Sequence, residues 1–288
     1  IEEGADVLAA IGEFMAKQTM ASGVIPQISA ILGNCAGISS LAPTLSDFVL
    51  MTEKTSFMYM NGPAVIESST GVNPGKDDIG SALTHTSLSG NAHIYYENED
   101  KCIEGIKDIL SYLPDNNLSE AVKVECNDDP GRASDDIYEV ISDSYDMKDV
   151  ITKVTDNSSF MEIQPEFGQG IVIGFARMNG DSVGIVANNP AVNQGALDMD
   201  SADKAARFIR LLDSFNIPIL SFTHTSGYIA DAQQEKKGLI RHVAKMLYAF
   251  AEASVPKINV VTGKAIGGAF VAMNSKSIGA DVVYAYPT

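Results

Sequence analysis

Apolar positions recur at helical spacing near the start of the chain. Val7, Leu8, Ile11, Phe14 and Met15 predict an amphipathic helix over residues 5–21. The run over 23–32 is short, apolar and closed by Gly33, which fits a buried strand. Gly37 opens a small-residue stretch able to start a helix, and Phe48-Val49-Leu50-Met51 reads as another strand. A second helix is expected over 99–113, carrying Cys102, Ile103, Ile106, Ile109, Leu110 and Leu113.

The stretch 114–149 breaks the pattern. It is rich in Asp, Glu, Asn and Ser, with a turn signal at Asp129-Pro130-Gly131, and reads as an exposed connection between two domains. The expected division is a first domain over 1–130, a linker over 131–144 and a second domain over 145–288. Strands over 170–176 and 182–187 pair around the Asn179-Gly180 turn. A helix over 201–215 follows, with Ser201 as its cap and Ala205, Phe208, Ile209, Leu211 and Leu212 on one face. A strand over 218–222 leads into a loop. A long helix is then expected over 235–252, with Leu239, Ile240, Val243, Met246, Leu247 and Phe250 turned inward and Glu235-Lys236-Lys237 as a solvated start.

One pattern occurs twice. Pro26 precedes Gly33 by 7 positions and Gly37 follows by 4; Pro256, Gly263 and Gly267 repeat the 7 and the 4. Each copy follows an expected helix that ends in Ala-Ser, at Ala21-Ser22 and Ala253-Ser254. Each is followed by Asp and a strand, at Asp47-Phe48-Val49 and Asp281-Val282-Val283. The shared order points to duplication. The physical expectation is a strand that stops at Gly33 or Gly263, then a tight turn into a helix over 33–38 and 263–268. A helix start exposes N–H groups and a positive dipole end, and glycine lets a ligand approach that backbone. Such a turn can stabilise developing negative charge on a thioester enolate or a carboxylated cofactor. The same glycines can instead serve only close helix–strand packing.

Composition narrows the field. The chain has 288 residues, 45% hydrophobic and 20% charged, enough for one large domain or two. A net charge of −17 disfavours nucleic acid as a partner, since phosphate neutralisation needs clustered Lys and Arg. No run reaches the roughly 18 apolar residues of a membrane span. Ile1-Glu2-Glu3-Gly4 lacks the basic and apolar segments of a signal peptide. Cys35, Cys102 and Cys126 are too scattered for a disulfide framework or a zinc site, which suggests a reducing, cytoplasmic setting. The missing initiator Met and the ending on Pro287-Thr288 suggest a part of something longer.

At these residues the chain resembles the carboxyltransferase subunits of biotin-dependent acyl-CoA carboxylases and decarboxylases, of the propionyl-CoA carboxylase beta and methylmalonyl-CoA decarboxylase alpha type. The likeness is carried by Ala21-Ser22-Gly23-Val24-Ile25-Pro26-Gln27-Ile28-Ser29, Thr84-His85-Thr86, Ser89-Gly90, Ala92-His93 and Leu110-Ser111-Tyr112-Leu113-Pro114. It continues through Tyr145-Asp146-Met147, Asp203-Lys204-Ala205-Ala206-Arg207-Phe208, Phe215-Asn216-Ile217-Pro218, residues 264–269 and residues 281–288. The resemblance implies an α/β fold of two crotonase-like (ClpP/crotonase superfamily) β-β-α spiral domains, both incomplete here. The first would bind acyl-CoA and the second biotin. The active site would form where the first domain of one subunit meets the second of another. A chain missing the outer parts of both domains would assemble and turn over poorly by itself.

The implied reaction moves CO2 between N1 of biotin and the alpha carbon of a short-chain acyl-CoA, propionyl/methylmalonyl or acetyl/malonyl. By the resemblance, the amides of Gly267, Gly268 and Ala269 hold the biotin carbonyl oxygen, and Ala36, Gly37 and Ile38 face the thioester carbonyl. The family usually has a second glycine where this chain has Ile38, which narrows the approach. Val271 stands where the family tunes acyl-chain size, although it reads equally as a helix core residue. Asn188 to Gln194 with Gly195-Ala196-Leu197-Asp198 resembles the loop completing the second pocket. Implied partners are acyl-CoA, a biotin carboxyl carrier protein, a biotin carboxylase or a membrane decarboxylase subunit, and further copies of the chain in a hexamer. Metal is not expected. Biotin itself would accept and deliver the proton, with no general base required.

One motif departs from the pattern. The family often reads Asp-x-Pro-Gly-Phe after the 218–222 strand, where this chain has His224-Thr225-Ser226-Gly227-Tyr228. A Ser–His hydrolase is disfavoured, because no Gly-x-Ser-x-Gly elbow or acid partner accompanies the pair. The segment reads instead as a pocket wall. His85 and His93 are expected to hydrogen-bond within loops, and His242 to lie at a helix's polar edge. Two alternatives stay open: a crotonase-type acyl-CoA hydratase or thioesterase, which needs an acidic residue beside a glycine turn, and a degenerate, non-catalytic assembly partner.

Overall fold

The computed structural model describes residues 4–132 and 135–287. Residues 1–3, 133, 134 and 288 lie outside the described residues, and with them two positions of the expected 131–144 linker and the last of the family-like stretch 281–288. The chain divides into two compact units. The first runs through Ser111 and includes Asp115–Leu118; the second comprises Tyr112–Pro114 and the chain from Ser119 onward.

The first unit opens with α1 (Ala5–Ala21), β1 (Ile28–Ile31), β2 (Asn34–Ala36), a 3-10 turn over Gly37–Ser40, and α2 (Leu41–Leu45). Then come β3 (Phe48–Thr52), β4 (Phe57–Tyr59), α3 (Pro63–Thr70), α4 (Lys76–Gly80), α5 (Ala82–Ser87), β5 (Ile94–Tyr96) and α6 (Glu99–Tyr112). β3 is buried along its whole length and lies between β1 and β5, parallel to both; β2 pairs with β4 in a separate parallel ladder. Ile31, Val49, Met51, Met58, Ala82 and Ala92 form the core. His93 extends the ladder: its N–H donates to the Val49 carbonyl at 2.8 Å and its Nδ1 accepts from the Val49 N–H at 3.0 Å. α1 forms where expected, but no side chain described on it is fully buried, and Leu8 and Phe14 are exposed.

The second unit contains α7 (Ile137–Val140), α8 (Met147–Val154), β6 (Met161–Ile163), β7 (Ile171–Met178), β8 (Asp181–Asn188), α9 (Met199–Ser214) and β9 (Ile219–Thr225). It ends with α10 (Ala232–Lys237), α11 (Leu239–Glu252), β10 (Lys257–Ala265), α12 (Gly267–Ala272) and β11 (Val282–Ala285). Among the described residues, six strands form one mixed sheet, ordered β11-β10-β9-β8-β7-β6. The strands from β8 to β11 are parallel, while β6, β7 and β8 are antiparallel. β7 is buried on both faces. Val172 and Ala176 pack with Met147, Val150 and Ile151 of α8, and Phe175 meets Phe208 of α9 edge-on at 5.2 Å. Gly184 lets α9 approach β8, since a Cβ there would collide with Leu212. The β7–β8 turn uses Asn179 and Gly180 at φ 52 and 82, the left-handed pair that suits a two-residue hairpin.

Several expectations need correction. The residues after Ser119 are not a free connection. The Val124 N–H donates to the Gly180 carbonyl, Lys123 pairs with Asp181, and Tyr145 and Met147 enter the second core. Asp198, not Ser201, caps α9, its carboxylate accepting from the Ser201 N–H at 2.7 Å. The expected 235–252 helix is two helices, broken at Gly238, which takes φ +92. Ile240 and Leu247 face outward, while Leu239, Met246 and Phe250 are buried. The strand over 218–222 continues to Thr225, so His224 is a buried strand residue rather than a loop residue.

The duplicated pattern has matching hydrogen bonds. The Gln27 N–H donates to Asp47 at 2.8 Å and the Lys257 N–H donates to Asp281 at 2.8 Å. The return bonds, Asp47 N–H to Gln27 and Asp281 N–H to Lys257, are both 2.9 Å. β1 does stop just before Gly33, which lies in a bend, whereas β10 runs past Gly263 to Ala265. The chain stays extended for three further residues, through β2 in one unit and the end of β10 in the other. It turns at Gly37 and Gly267, whose φ values are +64 and +63.

Candidate active site

In the second unit three segments meet at the start of α12. The Ile266 N–H donates to the Thr225 carbonyl at 3.2 Å, which leaves Gly267, Gly268 and Ala269 as the helix's first amides. No side chain among the described residues caps that end. The first N–H groups of a helix have no partner within it, so these amides point their dipoles outward. Gly267 and Gly268 are exposed, and Ala269 tucks its methyl into the interior. A Cβ at Gly268 would stand 3.4 Å from the Tyr228 ring, so glycine keeps the space between that ring and the backbone open. Val271, on the same short helix, is 36% exposed.

The 193–197 segment forms one wall. Asn193, Gln194 and Gly195 take consecutive left-handed conformations, at φ 47, 56 and 71. The Ser226 N–H donates to the Gln194 carbonyl at 3.3 Å and the Leu197 N–H donates to the Gly227 carbonyl at 3.0 Å. Lys264 reaches the Gln194 side chain at 3.4 Å. Gly195 and Ala196 are buried here. At Gly195 any Cβ would collide with the His224 carbonyl. Burial pushes the Tyr228 phenol above its ordinary range, so it stays a neutral donor.

In the first unit Ala36, Gly37 and Ile38 form the corresponding turn, again without a side-chain cap. A cavity of about 520 Å3 lies beside it, lined by Ser40, Leu41, Thr44, Tyr59, Ile66 and Asn91, among others. His85 fixes this wall: Nε2 donates to the Met58 carbonyl at 2.5 Å and Nδ1 accepts from Ser89 at 2.8 Å. His242 pairs with Asp203 at 2.6 Å at the edge of α11. Ser226 and His224 form no nucleophile pair, because the His224 Nδ1 faces the Tyr145 hydroxyl at 3.4 Å and Nε2 is buried without a partner among the described residues.

The structure therefore brings Gly267, Gly268, Ala269, Val271, Gly195 and Ala196 into one neighbourhood, and places Ala36, Gly37 and Ile38 at the equivalent turn of the other unit. Sequence reasoning placed Gln194 and Tyr228 in pocket-lining segments without giving either side chain a role, and missed the link from Tyr145 to His224. Their contacts span tens of residues, so local pattern carries no signal for them.

The carboxyl transferase domain profile matches residues 1–288. The chain is 49% identical to the propionyl-CoA carboxylase carboxyltransferase subunit of Haloferax mediterranei, and 49% identical to the methylmalonyl-CoA decarboxylase alpha subunit of Veillonella parvula. Both alignments cover 100% of this chain and 57% of the relative, so the chain spans little more than half the length of these proteins. Among solved structures, the transcarboxylase 12S hexamer with hydrolysed methylmalonyl-coenzyme A superposes with TM-score 0.96 at 44% identity, over 99% of this chain and 56% of that one. No described helix is long and apolar enough to cross a membrane. Full-length coverage by one profile, and a shared fold at this identity, place the chain in the carboxyl transferase domain family.

Proposed function

We propose that the protein carrying this chain transfers a carboxyl group between biotin and the alpha carbon of a short-chain acyl-CoA of the propionyl or acetyl size. The observation that carries the reading is the pair of uncapped glycine turns. Gly37 and Gly267 share a positive φ of +64 and +63, each opening a helical turn in its own unit. Two such turns suit a reaction in which two carbonyl oxygens gain negative charge. Family membership supports the same chemistry. Both units are assigned crotonase-like architecture, the first receiving the acyl-CoA and the second the biotin.

The second turn fits a ureido oxygen. The Gly267, Gly268 and Ala269 amides are oriented donors, and the slot beside Tyr228 is one that a side chain on Gly268 would narrow. When bound, biotin supplies the CO2 carrier atom, N1. Gly195 and Ala196 wall the slot, and Gln194 holds Lys264 beside it. In the first unit the Ala36, Gly37 and Ile38 amides face the thioester oxygen, with Ile38 limiting the approach. Val271 sets the room for the acyl chain. Biotin would arrive on a carboxyl carrier protein, with a biotin carboxylase or membrane decarboxylase subunit as the further partner, copies of the chain forming a hexamer, and the cytoplasm as the site of action.

Neither turn carries an acidic side chain in its first residues, which disfavours a hydratase. The test follows radiolabel from methylmalonyl-CoA, labelled in its free carboxyl, to free biotin. Label in the biotin fraction is expected. Hydration of an enoyl-CoA without biotin, and no label transfer, would replace this reading.

A further inference from the structure

His224 lies beneath the second-unit site and is 2% exposed. Its backbone N–H donates to the Asn188 side chain at 3.3 Å, and its carbonyl fills the place where Gly195 lacks a Cβ. Its ring fills the corresponding place at Gly263, where a Cβ would stand 2.5 Å from Nδ1 and 2.6 Å from Cε1. One residue thus supports both the 193–195 turn and the strand end that leads to Gly267.

A chain of hydroxyls favours one tautomer. Thr262 donates to the Thr223 carbonyl at 3.4 Å, so its oxygen accepts from Tyr145 at 2.8 Å. The Tyr145 oxygen is then left to accept from His224 Nδ1 at 3.4 Å. This order of donors puts the hydrogen on Nδ1 and leaves Nε2 a bare lone pair. Nε2 is fully enclosed and has no hydrogen-bond partner among the described residues. A proton there would be a buried donor without an acceptor.

We propose that His224 is a positioning residue: its neutral, Nδ1-protonated ring is the floor on which Gly195 and Gly263 are set, and protonation of Nε2 releases that floor. The role rests on reading Gly267, Gly268 and Ala269 as the oxyanion site. The groups acting on the ring are Tyr145, Lys264 and Asp143. Burial holds the imidazole below its ordinary range, Lys264 adds to this, and Asp143 opposes it. The ring is therefore neutral near neutral pH, and the site is set until the solution is distinctly acid.

The test reads the ring, the loops and the chemistry separately. Two-bond proton–nitrogen NMR on histidine-labelled protein reports the tautomer. Hydrogen–deuterium exchange over 193–197 and 263–268, corrected for the intrinsic effect of pH, reports the floor. Label transfer to biotin reports activity. A bare Nε2 is expected in alkaline solution. On acidification below the ordinary histidine value of about 6.5, exchange in both segments should rise about tenfold and transfer should fall about tenfold per pH unit. His224→Asn keeps an N–H for Tyr145 but cannot titrate, so both acid responses should vanish. Tyr145→Phe removes the acceptor, so neither ring nitrogen has one among the described residues, and the preference for the Nδ1-protonated form should weaken. An Nε2-protonated ring in the unmodified protein overturns the proposal. So does an acid response that survives in folded His224→Asn. If that variant does not fold, an unchanged tautomer ratio in Tyr145→Phe overturns it. Absence of transfer at every pH, with the exchange response intact, removes the functional reading and leaves the role of His224 standing.

Discussion

Lys257 does in the second unit what Gln27 does in the first: each ties the start of a strand back to the last turns of the preceding helix. The Gln27 amide donates to the Gln18 carbonyl of α1 at 3.0 Å. The Lys257 ammonium donates to the Phe250 and Ala253 carbonyls, both at 2.7 Å. Helix C-termini leave carbonyls unpaired, and a cation suits them best.

Truncating Lys257 leaves two buried carbonyls without donors. Lys257→Met should therefore destabilise the second unit by about 2–6 kcal/mol, at about 1–3 kcal/mol per abandoned group. Gln27→Met, at a half-buried site with one such bond, should cost about 1 kcal/mol. Urea unfolding with exchange mass spectrometry on each unit checks both. Equal losses would show that the two positions are not distinguished by burial and charge.

Lys204 is another buried cation. It is 3% exposed, and its ammonium donates to the Gln164, Phe167 and Ile171 carbonyls at 2.8, 2.8 and 2.9 Å. Burial pulls its pKa down to about 7, although the three carbonyls match the three donors of the charged form. Between about 7 and the unfolded value of about 10.4, the unfolded chain binds more protons than the folded one. Stability should therefore rise with pH across that window, by at most about 1.4 kcal/mol per unit, and be flat below it for this group. Lys204→Met should abolish the slope and remove three hydrogen bonds at about 0.5–1.5 kcal/mol each, the Gln164 carbonyl keeping the Phe167 N–H at 3.3 Å. Denaturant melts at several pH values decide the matter, and an unchanged slope in the variant would assign it to another group.

The repeat also predicts an asymmetry. Gly33 and Gly263 are equivalent in sequence, but a Cβ at Gly33 meets nothing within 4 Å, whereas one at Gly263 meets the His224 ring at 2.5 Å. Gly33→Ala should be neutral, or stabilising by about 0.4–1 kcal/mol through the unfolded chain. Gly263→Ala should cost about 2 kcal/mol or more, because a buried ring must move. Thermal melting of the two variants provides the comparison, and similar midpoints would mean that His224 moves without cost.

The fold was legible where local period or turn chemistry alone decides the element. The 5–21 helix, β3 and the Asn179-Gly180 hairpin follow from local pattern alone. The glycine repeat also led to both turns: the expected links over 33–38 and 263–268 contain Gly37 and Gly267, although spacing cannot tell which glycine of each pair takes the positive φ. Gly238 was absorbed into a helix for a similar reason: the apolar period runs through it, and its left-handed conformation shows only in the backbone. His224 looked like a loop residue because His-Thr-Ser-Gly-Tyr is polar, yet pairing of Thr225 with Ala265 carries the strand past it. Tyr145 reaches His224 across 79 positions and Thr262 across 117, distances at which local pattern carries no signal.

The sharpest test of the site lies at Gly267 and Gly268. Gly267 has φ +63, so an alanine there strains the backbone by about 1–2 kcal/mol, whether or not a ligand binds. Gly268 has no such constraint, and its Cβ would stand 3.4 Å from the Tyr228 ring, an ordinary contact. Gly268→Ala should therefore fold normally. Gly268→Val adds two methyl groups toward Tyr228 and stiffens the turn, closing the slot in front of the amides. Carboxyl transfer should fall about a hundredfold or more in Gly268→Val, the scale of one lost oxyanion donor. Acyl-CoA affinity by calorimetry should hold steady, because the proposed thioester turn belongs to the other unit. Tyr228→Ala in the Gly268→Val background should restore part of the rate by reopening the slot. Transfer that is unchanged in folded Gly268→Val would remove this turn from the mechanism. A loss that Tyr228→Ala does not relieve would place the damage in the helix rather than in the space before it.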